Sequence, residues 1–416
     1  MEKISNKGIL LSLFITVFVD MLGIGIVIPV FPLLFSDQNS GIFAASVSQD
    51  TRYLIYGFLS ASFPLAQFFG APLLGALADR HGRKPILTLS LIGTFVGYIL
   101  FVWSVIEGNL PLMFFSRALD GFTGGNISIA MASISDISDE KSRTKNFGLI
   151  GMAFGLGFIL GPYIGGVLAD HTIYHGFNYS TPFIAAAILA GINLIIVSFV
   201  YKETLKVKLN SVISFTTGFK NVGRAFSLPN LRTIFTVMFL LTFGFTFFTQ
   251  FFQVFLSKKF HYTTSQVGNI FAYVGIWIAI TQGGLARIFS KRFSPKQIMN
   301  VSIIMLGIVF VFLILPDQKW ILYCIIPFIA IFQGMISPNS TSLVSAQAGP
   351  EAQGEILGIN QSVQSLAQAI PPIIAGYIIS IKLELPILVA SGCTLLAGII
   401  FLLFFRSKKN PEFREK

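Results

Sequence analysis

Two carboxylates and one guanidinium stand where hydrocarbon or protein interior must surround them. Asp20 interrupts the apolar run SLFITVFVDMLGIGIVIPVFPLL, residues 12–34, and Arg117 and Asp120 lie within RALDGFTGGN, residues 117–126. An ionised side chain at the centre of a bilayer costs at least about 2.5–3.5 kcal/mol on insertion scales, so such groups face a cavity, a partner or a proton. Burial disfavours the charged form and lets an acid load and release a proton, whereas a neighbouring cation holds it ionised in a structural pair. Arg117 lies three residues before Asp120, on the same helix face, so these two can neutralise each other and leave Asp20 the freer acid. Three roles compete for Asp20: proton carrier, which the residues favour, polar structural partner of Arg117, and direct contact with a cationic substrate. Asp120 is the second candidate proton carrier. His81, His171, His175 and His261 fall in loops or at the ends of apolar runs, so none makes an intramembrane relay.

The elements that position these groups must be membrane-crossing helices. Of the 416 residues, 54% are hydrophobic and only 11% charged, which excludes an ordinary soluble domain. A bilayer is crossed by roughly 20 apolar residues, and about twelve such runs recur, near 8–35, 53–78, 86–106, 110–136, 145–171, 181–201, 231–257, 267–289, 297–315, 320–345, 353–380 and 385–406. The sequence therefore predicts an all-α integral membrane protein. Residues 1–201 read as an N-terminal six-helix bundle, 202–231 as a cytoplasmic linker, and 232–416 as a second six-helix bundle with a cytoplasmic tail. Lys3 and Lys7 ahead of the first run suggest a signal peptide, but the run is too long, holds Asp20 and lacks a cleavage site, so it is read as an uncleaved span.

The net charge of +11 does not point to nucleic acid, because its cations cluster on one side. With the N-terminus in the cytoplasm, that side takes Arg80, Arg83, Lys84, Arg287, Lys291, Arg292 and Lys296 among many others, while the opposite side holds only Arg52, Lys258, Lys259, Lys319 and Lys382. This is the positive-inside pattern, and it places both termini in the cytoplasm. Cys324 and Cys393 both fall inside spans and read as small core residues, offering neither a disulfide framework nor a metal cluster. In the linker, Phe215, Phe219, Val222 and Phe226 recur at helical spacing with Lys220 and Arg224 between them, which suits a helix lying on an anionic membrane surface.

The second half has no acid well inside its spans but supplies amides: Gln250, Gln282, Gln333, Asn339, Asn360, Gln361, Gln364 and Gln368. Some must bond between helices, yet the three- and four-residue spacing of Gln361, Gln364 and Gln368 suits one face lining a cavity, to which Asn126 adds from the first half. Phe243, Phe247 and Phe251, four apart and beside Gln250, could form an apolar binding wall.

GALADRHGRKPIL, residues 75–87, resembles the signature between the second and third spans of the major facilitator superfamily. RALDGFTGGN resembles its fourth-span arginine motif, and GLGFILGPYIGG, residues 155–166, its fifth-span glycine-proline motif typical of antiporters. VDMLGIGIVIPVFP, residues 19–32, and PEAQGEILGINQSVQSLAQAIPP, residues 350–372, are similar to stretches of the drug/proton antiporter family, nearest its tetracycline-antiporter-like group. The resemblance implies two pseudo-symmetric six-helix halves around a midplane site. A weak echo of the residue 75–87 loop at GGLARIFSKRFSPKQIM, residues 283–299, agrees with repeated halves. It further implies that Asp79 latches one transport state, with Gly75, Gly82, Arg83 and Lys84 completing the loop and Arg83 pairing Asp136. Gly75 and Ala78 would bring the end of the second span close to a neighbour. Gly157, Gly161 and Gly165 make one stripe beside Pro162 and Gly166, which the resemblance implicates in sealing the barrier.

These readings converge on a secondary transporter that exports a small molecule, such as a drug or amphipathic metabolite, in exchange for protons by alternating access. The alternative is a proton-coupled importer of a nutrient on the same fold. No HExxH, GxSxG or phosphate-binding loop occurs, so no enzyme is expected. The expected partners are substrate, protons and lipid, without cofactor, metal or nucleic acid, for a monomer in a membrane, by the style of its motifs a bacterial inner membrane.

Overall fold

The computed structural model describes residues 2–138, 140–205, 214–227, 231–347 and 353–405. The linker stretches 206–213 and 228–230, the start of the 350–372 motif and the tail from residue 406 lie outside them. The chain folds as helices α1 (Glu2–Ser36), α2 (Gln49–His81), α3 (Arg83–Ile106), α4 (Leu110–Thr123), α5 (Asn126–Ile137), α6 (Glu140–Leu168), α7 (Thr181–Val200) and α8 (Thr217–Ser227). It continues with α9 (Arg232–Phe260), α10 (Thr264–Ile280), a π turn (Thr281–Leu285), α11 (Ala286–Ser290), α12 (Pro295–Ile314), α13 (Lys319–Gln347), α14 (Gln353–Ala369), α15 (Pro371–Ile378) and α16 (Leu385–Phe404).

Among the described residues, ten helical stretches are long and apolar enough to cross a membrane. The fourth and eleventh expected spans complete the set of twelve in two pieces each, α4 with α5 and α14 with α15. The first break falls at Gly124–Gly125, and the second at Ile370 before the paired prolines Pro371 and Pro372, which cannot donate backbone bonds. Broken backbone survives at membrane depth only where its freed groups find partners. Here the Gln67 amide donates to the Gly124 carbonyl at 3.0 Å, and the Ser90 hydroxyl donates to the Thr123 carbonyl.

One end of the bundle carries the α2–α3 and α11–α12 connections with their basic residues; we call it the basic end. A large apolar core joins both halves toward the opposite end, with Phe31, Phe35, Tyr56, Phe251 and Phe255 all buried. A smaller core, including Leu13, Val17, Leu74, Leu87 and Ala130, draws only on the first half.

The face that α6 turns toward α10 records how the halves meet. Gly148, Gly151, Gly155, Ile159, Pro162 and Gly166 follow one another at three- and four-residue steps and so share a helix face. A side chain added at Gly166 would meet the Gly268 Cα at 3.0 Å, one at Gly268 would meet the Pro162 carbonyl at 2.6 Å, and Gly275 faces Ile159. The same face carries nothing within 4 Å at Gly148, Gly151 or Gly155, nor does Gly283 or Gly284 beyond α10. The two helices touch toward the opposite end and diverge toward the basic end. Gly75 of α2 likewise faces open space. The expected close approach at Gly75 is therefore absent from this conformation, and Ala78 is buried in the first half's own core instead.

Two further expectations change. Cys324 is exposed on the bundle surface rather than packed in the core, and Cys393 is half-buried. In α8, Gly218 and Ala225 are the buried positions, Gly218 against Phe68 of α2, and Asn221 donates to the Ser362 hydroxyl of α14 at 3.0 Å. Phe215, Phe219 and Phe226 remain exposed. The small residues let the linker helix approach closely, and Phe219, although largely exposed, sets its ring edge-on to Phe68 and Phe69 of α2 at 5.0 and 5.8 Å.

Candidate functional site

α4 turns Arg117 and Asp120 into the first half, where both are buried and Arg117 donates to the Asp120 carboxylate at 2.8 Å. The guanidinium also stands over the rings of Phe63 at 4.7 Å and Phe31 at 5.7 Å, a favourable setting for a desolvated cation. Asp120 packs closely on α3, since a side chain at Gly97 would meet its Cβ at 3.0 Å.

Asp20, on α1, lies beside this pair without joining it. Its Oδ2 atom is sealed from solvent and has no hydrogen-bond partner. The groups that act on it are the Asp120 carboxylate and the side chain of buried Asn126, at the first turn of α5. Asn126 is placed there by the Gly124–Gly125 break. Tyr98 completes the constellation: it is buried, lies within the field of Asp20, Arg117 and Asp120, and its hydroxyl occupies the space a side chain at Gly23 would need. Sequence reasoning missed Tyr98; the signal was a lone phenol following Gly97 in an otherwise apolar span.

The amides divide. Gln250 receives the Tyr56 hydroxyl across the halves, 2.6 Å to its carbonyl and 3.0 Å to its side chain. Asn339 is buried and donates to Met335 of its own helix at 2.7 Å. Gln333, Asn360, Gln361, Gln364 and Gln368 are half-buried, and the Asn360 Oδ1 has no partner. Gln282 sits in the π turn, exposed. Phe247 and Phe251 are buried in the core, Phe251 against Tyr56 at 5.0 Å, so they do not form an open wall. Two amides missed from sequence bridge the halves: Gln67, which also accepts from Ser365 of α14 at 3.3 Å, and Gln253, which donates to the Ile28 carbonyl at 2.9 Å.

At the basic end, Arg83 pairs with Asp79 at 2.5 Å and with Asp136 at 3.2 Å. Gly82, at φ 117°, closes α2 and opens α3 in a conformation that favours glycine. Glu203, absent from the sequence reading, accepts the backbone N–H groups of Arg83 at 2.9 Å and Lys84 at 3.0 Å, capping α3. Burial alone would raise its carboxyl, but backbone N–H bonds from Leu205, Arg83, Lys84 and Thr204 outweigh this and hold it below the usual carboxylate range. Thr204 next to it donates to Asp136 at 3.2 Å. The α2–α3 loop, the end of α5 and the end of α7 therefore form one ionic cluster.

The glycine-proline motif has two working faces. Gly157, Gly161 and Gly165 admit α1, with a side chain at Gly161 predicted to meet the Leu22 carbonyl at 2.6 Å, whereas Pro162 and Gly166 admit α10. The first contact lies within one half; the second joins the halves.

The family profile of the Major Facilitator Superfamily matches residues 13–372 and 289–416 of the chain. The chain is 31% identical over 408 residues to the quinolone resistance protein NorA of Staphylococcus aureus (strain MRSA252), covering 96% of each. It is 30% identical over 378 residues to the class C tetracycline resistance protein of Escherichia coli, covering 89% of each. Among solved structures, the human organic anion transporter MFSD10 (TETRAN) superposes with a TM-score of 0.72 at 21% identity, covering 95% of this chain and 99% of that one. That likeness speaks to the fold.

Proposed function

From the premise that this chain belongs to the major facilitator superfamily, a transporter family rather than an enzyme family, we propose that it exports a small amphipathic drug-like molecule across a bacterial inner membrane in exchange for protons. The resistance functions in the names of its bacterial relatives support that substrate class. The basic end is cytoplasmic, because the chain's cations concentrate there, and both termini lie on that side. The conformation described is then inward-open: sealed at the external end, parted at the cytoplasmic end. The protein works as a monomer whose first half spans residues 1–201 and whose second begins at 232.

The observation that carries the mechanism is the division of labour among the buried pair Arg117 and Asp120 and the half-buried Asp20. Arg117 is committed to Asp120 at 2.8 Å, while the Asp20 carboxyl keeps an unpartnered oxygen beside that pair, within the first half. Asp20 holds the transported proton, Asn126 and Tyr98 shape its surroundings, and the Arg117–Asp120 pair fixes the local field. Protonation removes a charge whose burial is costly and so changes which state of the rocking halves is favoured. The half-buried amides of α14 with Gln250 and Gln333 meet the substrate. The Asp79–Arg83–Asp136 cluster, formed within the first half already in this state, holds the outward-facing state by presenting the end of α2 to α14 when the two close over the cytoplasmic end, and the π turn carries Gln282 into that closure.

The test is reconstitution in liposomes holding a pH-sensitive dye. A proton gradient is imposed and tetracyclines, quinolones and neutral metabolites are screened with the native chain and with Asp20→Asn. Proton flux opposite to substrate that vanishes in the variant supports the reading. Flux in the same direction as substrate makes the protein an importer, and flux that survives the variant removes Asp20 from the coupling path.

A further inference from the structure

At the sealed end, an acid of the first half reaches across to the second. Asp170 follows the last turn of α6 and is 4% exposed, an unusual depth for a carboxylate in a loop. Its Oδ1 accepts from the Thr172 backbone N–H at 3.0 Å and the Thr172 hydroxyl at 2.6 Å. Its Oδ2 accepts from the backbone N–H of Ser265 at 3.4 Å, in the first turn of α10.

The start of α10 explains why this contact matters. The first N–H groups of a helix have no partner within it and carry the positive end of the helix dipole. Thr263 and Gln266 form a reciprocal capping box that satisfies two donors from within the second half. The Ser265 N–H is left to the first half, and Asp170 takes it. Immediately below, Gly166 lies against Thr264 and Gly268, so the carboxylate sits at the top of the seam where α6 and α10 touch.

We propose that Asp170 is an external latch: by capping α10 from the other half it stabilises the externally sealed state, and opening of that end breaks the contact. The latch is the counterpart, at the other end and in the other state, of the Asp79 cluster, and it rests on the alternating-access reading. When the halves part at this end, Ser265 loses its acceptor and Asp170 must be solvated by water, while the Thr172 bonds, within one loop, travel with the first half unchanged. Burial alone would raise the Asp170 carboxyl, but the bonds from Thr172, Thr263 and Ser265 hold it below the usual range, so it stays charged while it caps.

The experiment measures the separation of the external ends directly, without substrate or proton gradient, so its outcome does not depend on what is carried. With Cys324 and Cys393 replaced by serine, spin labels at His175→Cys and Lys382→Cys, both exposed in external loops, report distances by pulsed electron resonance in lipid nanodiscs. Asp170→Ala should raise the ratio of externally open to sealed molecules by about 2- to 30-fold, the range that corresponds to losing a helix N-cap. Thr172→Val, which removes only the hydroxyl bond within the loop and keeps the backbone one, should leave the ratio unchanged and so controls for loop disorder. An unchanged ratio in Asp170→Ala, or an equal shift in Thr172→Val, overturns the latch. Asp170→Asn, which keeps an acceptor but loses the charge, should fall between the native chain and Asp170→Ala; a value equal to the native chain shows that charge plays no part in the cap and overturns that element of it.

Discussion

Replacing Gly166 by alanine should shift the transport equilibrium while scarcely touching the fold of either half. The added methyl would stand 2.7 Å from the Thr264 carbonyl and 3.0 Å from the Gly268 Cα, both backbone atoms of α10. Carbon–oxygen contacts in packed helices settle near 3.3 Å, so α6 and α10 must part by roughly 0.6 Å. Overpacking of this size costs about 1–3 kcal/mol, and the cost falls only on the state in which these helices touch. The externally sealed state thus loses that amount relative to the open one, a shift of about 5- to 150-fold. Gly161→Ala supplies the contrast, because its methyl would collide with α1 inside the same half at all stages of the cycle. It should lower thermal stability without moving the equilibrium. Accessibility of a cysteine placed at Gln253, buried where α9 meets α1 between the halves, to an impermeant maleimide added from outside reads the first effect against the same cysteine in the otherwise native chain, and a melting curve in detergent reads the second. If both variants lower the melting temperature equally and neither changes labelling, the division of the motif into two faces is wrong.

Three more expectations follow from other parts of the molecule. Gly151→Leu places bulk on the part of the α6 face that now meets nothing; melting should be unchanged while transport falls at least tenfold, because closure at the basic end is obstructed. Arg117→Ala leaves the buried Asp120 without its cation, a change of about 3–5 kcal/mol for a buried pair, so expression and melting temperature should drop sharply, with Asp120→Asn in the same chain restoring part of the loss. Glu203→Gln should lower stability by about 1 kcal/mol near pH 7 through loss of the charged cap on α3. Since the Glu203 carboxyl is held below its ordinary value, its contribution is present above that ordinary value and disappears as pH falls through the lowered one. The difference in melting temperature between native chain and variant should therefore shrink on acidification; a constant difference refutes the ionic cap.

The spans were legible because hydrocarbon length and periodicity are local properties of the sequence. Even the two broken spans were placed, though not their breaks: a Gly-Gly pair and a Pro-Pro pair in apolar runs are ambiguous until neighbours such as Gln67 answer the freed carbonyls. Arg117 and Asp120 could be paired because they are three apart on one helix. Glu203 could not be joined to Arg83, since 120 residues separate them and only the packing of α7 against α3 brings them together. Tyr98, Gln67 and Gln253 were missed for the same reason: each takes its meaning from a helix elsewhere in the chain. The linker helix shows the opposite failure. Its phenylalanines were the conspicuous signal, yet of these only Phe219 packs on rings of α2, and the close approach is made by Gly218 and Ala225, silent in a hydropathy pattern.

On the proposed topology, the sealed external end also creates a target. Thr172 and Thr263, both exposed, and the half-buried Ser265 form a surface patch over the buried Asp170, drawn from two halves that the proposed cycle moves apart. An antibody fragment raised against this composite epitope would recognise neither half alone and would release when the patch splits. Applied to spheroplasts or proteoliposomes, such a reagent need not cross the membrane that holds the transporter or compete with the transported compound. It would inhibit from outside, noncompetitively, by lending its own binding energy to one conformation, and the transporter would escape it only by altering residues that also hold the seam together.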